Sequence, residues 1–427
     1  MTKPASTPMA NDPAAELLDR RMKRVVDTLQ LRQPDCVPIF MPFLGLLPQL
    51  EGVTNLELYE NPERAQAALE RAALRFQPDM CEGVFGTPEP SRILGDRMTK
   101  WPGYGLGPND AYQYHEGEYM KAEEYDAFLA DPSDWAIRRY LPRVFGELAG
   151  LGMLPPLAMS LMGYYAVAQL GPVLTVPPVV TAFQKLQQAA QAQAEWVEHQ
   201  IALVRRLTEL GFPPCPLFAG PSVSAPFDFM ADTLRGMKGI FTDIRRYPEK
   251  VLAAEERVMP MLLEYAAAVC REREIPYAFL PLHRGSDGFI SLQDFEKFYW
   301  PQLKHVLFGL INSGVTPIVL YEGAWDQRLK YLAELPKGKT VGIFQSTDLI
   351  KAKQEIGDTM CIVGGMPNFL LISGTPEEVR EHTKLMCSEV GAGGGFVMMP
   401  TIGDLQDCKP DLIDVWVEAT REYGCPS

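Results

Sequence analysis

Positive charge is in deficit in this chain: 40 Lys and Arg face 54 Asp and Glu, for a net charge of −14. A surface that binds nucleic acid needs clustered Lys and Arg, so the balance argues against that class. The acidity reads first as a solubility device. Paired cysteine motifs are missing as well. The eight cysteines, at 36, 81, 215, 270, 361, 387, 408 and 425, include no CxxC, which points to reduced thiols in a cytoplasmic protein and away from a disulfide frame or zinc knuckle. Residues 1–12 have no apolar core of the signal-peptide kind and read as a loose tail. An unbroken membrane-length apolar helix is absent too. Residues 148–184 carry no charge, yet Pro155, Pro156, Gly163, Gly171, Pro172, Pro177 and Pro178 interrupt them, so no apolar helix of about 20 residues can be drawn there. Two readings stay open for that stretch: buried packing, or an apolar lid or subunit contact.

What is present is an ordinary globular composition, 47% hydrophobic and 22% charged over 427 residues. Apolar runs alternate with helical patterns. Residues 13–32 predict an N-terminal helix and 36–41 a first strand. A helix at 62–76 leads to a second strand at 79–85 that carries Glu82. Residues 86–211 then break the rhythm with Gly-, Pro- and aromatic-rich loops and a long helix from about 179 to 210. Alternation resumes with strands at 215–220, 276–282, 317–321, 340–344, 359–363 and 393–399, and a last helix at 412–423. Residues 324–335 have apolar positions near helical spacing and predict a helix between the fifth and sixth strands. The pattern implies one α/β domain over 13–427: a (β/α)8 TIM-type barrel with an N-terminal helix and a helical and loop insertion, 86–211, between strands 2 and 3.

Several apolar runs end in polar residues, as barrel strands do where they release side chains to an active site. Glu322 closes the fifth run directly after Tyr321, and His283 closes the fourth. A carboxyl at the tip of a buried strand is desolvated, its pKa rises, and it can exchange protons near neutral pH. Glu322, His283 and Asp287 are therefore the candidate catalytic residues, with Glu82, Tyr321, Gln345, Asp348 and Asp404 as candidate substrate-binding ones. Asp348 also reads as a helix N-cap before Leu349, and Asp287 as a shaper of the 285–288 turn.

The segments SAPFDFMADTLRGMKGIFTDIRRYPEKV (224–251), GFISLQDFEKFYWPQLKHV (288–306), DLIKAKQEIGDTMCIVGGMP (348–367), SGTPEEVREHTK (373–384) and GGGFVMMP (393–400) resemble the uroporphyrinogen decarboxylase superfamily. That superfamily also includes methyltransferases that serve corrinoid proteins and thiols. True decarboxylases carry an arginine-rich RQAGR-type segment after the first strand, where this chain reads Met41-Pro42-Phe43-Leu44-Gly45-Leu46-Leu47-Pro48. The resemblance therefore implies a non-porphyrin substrate and a place nearer the methyltransferase branch. Zinc-dependent relatives have an H-x-C pair after the fifth strand and a cysteine after the eighth. Leu320, Glu322 and about Ile402 stand there, so zinc in the usual triad is not expected, and the metal stays unassigned. The resemblance implies demethylation of a small apolar or methoxylated aromatic donor, with the methyl group passed to a corrinoid on a separate partner protein, since this chain shows no DxHxxG-type signature. A decarboxylase or other lyase acting on a non-porphyrin acid is the alternative, and a non-catalytic binding barrel is the third reading. A homodimer is left open as the assembly.

Overall fold

The computed structural model of the protein describes residues 13–83 and 86–425; the expected tail at 1–12 and the end of the expected second strand lie partly or wholly outside them. Among the described residues the strands are β1 (Phe40–Pro42), β2 (Met80–Glu82), β3 (Thr99–Pro102), β4 (Gly105–Leu106), β5 (Gln113–Tyr114), β6 (Tyr277–Leu282), β7 (Thr316–Tyr321), β8 (Val341–Phe344), β9 (Cys361–Met366) and β10 (Phe396–Pro400). β6 to β10 form a five-stranded parallel sheet in chain order, and β1 pairs in parallel with β2. A parallel bridge from Ile39 to Met398 ties that pair to β10, and another from Ser222 to Phe279 adds a short segment beside β6. The array thus follows the (β/α) order from Ser222 round to β2. No ladder joins its two ends among the described residues; there Met80 and Leu217 share one buried cluster with Phe40, Ile318, Ile343 and Val397.

That cluster is the inner core, and the pleat decides which side chains enter it. Ile318 lies in it, whereas Val319 and Tyr321 belong to the outer core beneath the helices. Ile343 likewise packs inside and Phe344 outside, Met80 inside and Cys81 outside. On the same alternation the next residues, Glu322, Gln345 and Glu82, and His283 after the outward Leu282, turn inward at the carboxyl ends of their strands.

Helix Pro62–Phe76 shows how local sequence sets an element. Asn61 caps it by accepting from the Arg64 amide, Pro62 occupies the first turn, and Ala65, Ala68, Leu69, Ala72, Ala73 and Phe76 make its buried face. The long helix of residues 86–211 runs Pro177–Glu209, and β3 to β5 form a small sheet before it that the loop-like composition did not predict.

Three expectations are corrected. The strand at 215–220 is a turn of 3₁₀ helix, Pro216–Phe218, because Pro213, Pro214 and Pro216 offer no amide for a ladder. Here Gly220 passes so close to the Tyr277 carbonyl that a Cβ would sit 1.8 Å from its oxygen. The helix at 324–335 shrinks to Leu329–Leu332: the Trp325 amide donates to Thr347 Oγ1 at 3.0 Å and the Gln327 amide to Asp287 at 3.1 Å, which directs those amides to side chains instead of a first helical turn. The cysteines are not all free, for Cys36 and Cys425 are disulfide-bonded. Among the described residues no single helix is long and apolar enough to cross a membrane.

Candidate active site

His283 is the centre of the inward-facing set. Its Nδ1 lies 2.5 Å from Asp232 Oδ2 and its Nε2 3.7 Å from Glu322 Oε1. The two predicted strand-end residues thus meet, with a carboxylate on each side of the imidazole. Burial works to lower the His283 pKa, but the Asp232 hydrogen bond and the charges of Asp232, Glu322 and Asp228 outweigh it and lift the pKa to about 9. The ring is an imidazolium at neutral pH. Glu322 shifts upward from the usual carboxylate range, through burial first, against the pull of His283.

A second layer fixes this centre. Asp228 is fully buried and accepts the main-chain amides of His283 and Arg284 at 2.9 and 3.1 Å, while the Tyr299 hydroxyl donates to it at 2.6 Å. Burial and the neighbouring Asp232 raise its pKa. Arg284 pairs with Asp232 at 3.0 Å and with Glu116 at 2.8 Å. The segment around β5 reaches the same place: Tyr114 donates to the Asp232 carbonyl at 2.6 Å, and Tyr112 lies close enough to Glu322 for that carboxylate, after burial, to raise its phenol pKa. Tyr112 stacks on Trp101, with centroids 5.4 Å apart, and joins Tyr59, Leu58, Leu44 and Asp404 in lining an open cleft.

The other predicted residues fall into two groups. Glu82 faces inward, and burial lifts its pKa to about 7, yet no ion pair ties it to His283. Asp404 lines the cleft while its Oδ1 accepts the amides of Gly45, Leu405 and Gln406. Gln345 accepts the Gly323 amide at 3.1 Å and so shapes the turn after Glu322.

Three residues are drawn into structural work instead. Asp287 is ion-paired to Arg328, which is 1% exposed, so its charge is engaged by a buried guanidinium. Asp348 Oδ1 accepts the amides of Ile350 and Lys351 and caps helix Leu349–Ile356. Tyr321 points outward, stacked on Phe344 at 4.7 Å. Asp228, Asp232, Arg284, Tyr112 and Glu116 were missed. The signal for the first two was available: two acids four residues apart inside the apolar run PFDFMADTL must be buried with partners.

Leu320, Glu322 and Ile402 offer a single oxygen ligand, and among the described residues no three His, Cys, Asp or Glu side chains gather as a metal site.

Parallel strands in (β/α) order make an α/β protein, with titratable groups gathered at the carboxyl ends of several strands. The chain belongs to the uroporphyrinogen decarboxylase (URO-D) family, whose family model matches residues 152–423. It is 23% identical to the uroporphyrinogen decarboxylase of Pseudoalteromonas translucida over 188 residues, covering 41% of this chain and 51% of the relative. The corresponding enzyme of Chlorobium phaeobacteroides is 24% identical over 189 residues, with 41% and 52% covered. The chain spans about half the length of these curated relatives. Its fold is shared with a methyltransferase from Methanosarcina mazei at a TM-score of 0.57 and 14% identity, covering 94% of this chain and 98% of that one.

Proposed function

We propose that the protein is a methyltransferase that demethylates a small apolar donor, a methoxylated aromatic, and passes the methyl group to a corrinoid held by a separate protein. The observation that carries this reading is the His283 imidazolium, held between Asp232 and Glu322, with Tyr112 of the aromatic cleft close enough to Glu322 to feel its charge. When the methyl–oxygen bond breaks, its electron pair stays on the aryl oxygen, and His283 Nε2 delivers a proton there. A phenol leaving group has a pKa of about 10, close to the value of about 9 at His283, which suits general-acid catalysis. Glu322 orients the ring and returns a proton to it afterwards. Tyr59 and Tyr112 supply aromatic walls for the donor.

The partner-held corrinoid supplies the nucleophile that accepts the methyl group. This chain offers it no free imidazole at the site, since both nitrogens of His283 face carboxylates. A polycarboxylate substrate fits poorly, because the cleft lining carries no cation and Arg284 is already paired twice.

One observation favours a second reading. The Glu322–His283 pair, with Glu322 shifted up by burial and His283 lifted to about 9, is also an acid–base pair of the kind that decarboxylation of a small non-porphyrin acid requires. The discriminating experiment offers a methoxybenzene and a small hydroxybenzoic acid in parallel, with free reduced cobalamin as acceptor. Formation of methylcobalamin together with the phenol supports methyl transfer; release of carbon dioxide from the acid, without methylcobalamin, overturns it.

A further inference from the structure

The charge-free residues 148–184 divide in two. Leu148, Leu151, Leu154, Val179 and Ala182 make a small buried cluster of their own. Between them, residues 155–178 stand out from the molecule with no fully buried residue. Leu161 is 89% exposed, Met162 72%, Tyr164 80% and Tyr165 82%. Helix Tyr164–Leu174 contains no charged residue and presents apolar side chains on every side. A helix that is apolar all round is ordinarily buried.

We propose that this arm is covered by the same arm of a second copy of the chain, in a twofold, isologous contact. Two features favour a second copy over other covers. The first is area. With an aromatic side chain worth about 150–250 Å², the exposed apolar groups from Met153 to Phe183 present on the order of 1,000 Å², against roughly 800 Å² per partner in a standard interface. The second is charge. The chain carries −14 overall but nothing between Glu147 and Lys185, so two arms meet without desolvating a charge or bringing like charges together. A lipid surface is the poorer cover: interfacial helices carry Lys and Arg on a polar face to meet anionic headgroups, and this arm has neither. The assignment is independent of the reaction at the rim.

The experiment is sedimentation velocity on the full chain at tens of micromolar, with the Leu161→Glu/Tyr165→Glu variant alongside. Both positions lie outside the buried clusters, so circular dichroism should match wild type. A wild-type dimer whose dissociation constant rises about 100-fold or more in the variant is expected, because two charges would be buried unpaired in each arm. A second variant, Leu161→Cys, should give a dimer-sized product with a short bis-maleimide, and this readout does not depend on the charged variant folding. A monomeric wild type overturns the proposal, and so does a dimer that survives the double substitution with no cross-link through Cys at 161. Flotation of monomers with phosphatidylcholine vesicles also overturns it and assigns the arm to a bilayer.

Discussion

Asp232→Asn tests how the site holds its proton. The substitution keeps the shape and the amide-to-imidazole contact but removes the charge that lies 2.5 Å from His283 Nδ1. In the wild type that carboxylate, through its hydrogen bond and its charge, does most to lift His283 to about 9 against burial. Without it, burial opposes only Glu322 and Asp228, and the pKa returns toward the ordinary 6.5. At about pH 7.5 the imidazolium then falls from nearly full occupancy to roughly a tenth, so turnover should drop about tenfold from the charge state alone. The assay is the pH profile of methyl transfer. Wild-type activity should hold through neutrality and decline as pH rises through about 9, while the variant declines as pH rises through about 6.5 and recovers in acid.

Stability should follow the same group. Its folded pKa lies above the unfolded value, so its contribution is full below about 6.5 and is lost as pH rises through about 9. The wild type should therefore lose stability across that window and the variant should not. Parallel profiles in the two proteins would refute the assignment of Asp232 as the residue that positions and charges His283.

Asp287→Ala should leave turnover per folded molecule near wild type but cost about 3–5 kcal/mol of stability in denaturant titration, because it strands the buried Arg328. Glu255 is fully buried in helix Pro248–Arg273 with neither carboxyl oxygen hydrogen-bonded. Burial pushes its pKa well up, and Glu255→Met should raise stability by about 1–3 kcal/mol, read as a higher Tm. Metal analysis after dialysis should find no stoichiometric zinc, and chelation should leave methyl transfer unchanged; one tightly held zinc per chain would redirect attention to Glu322 and His283 as ligands.

Much of the fold was legible because buried parallel strands read as apolar runs: β6 to β10 were all anticipated, as was helix Pro62–Phe76, although its Asn61 cap was not. What failed did so for tertiary reasons. The 324–335 helix lost its first turn to Thr347 and Asp287, side chains far away in sequence. The site was half legible. Glu322 and His283 stand out because a polar residue closes an apolar run. Asp228 and Asp232 come instead from 55 and 51 residues upstream of His283, near a stretch of π-helix, Phe229–Arg235, that spacing rules for ordinary helices do not reveal. Tyr112 and Glu116 arrive from the loop-rich residues after 86, whose aromatic content gave no hint of where they fold.

The central claim is that the Glu322–His283 pair performs the proton chemistry of methyl transfer, and the turnover of Glu322→Gln relative to wild type tests it most directly. The substitution preserves size and one hydrogen-bonding oxygen but cannot exchange a proton with His283. With a methoxybenzene donor and reduced cobalamin as acceptor, turnover should fall by about 100- to 10,000-fold while the Tm stays close to wild type. Turnover near the wild-type level in that variant would contradict the account.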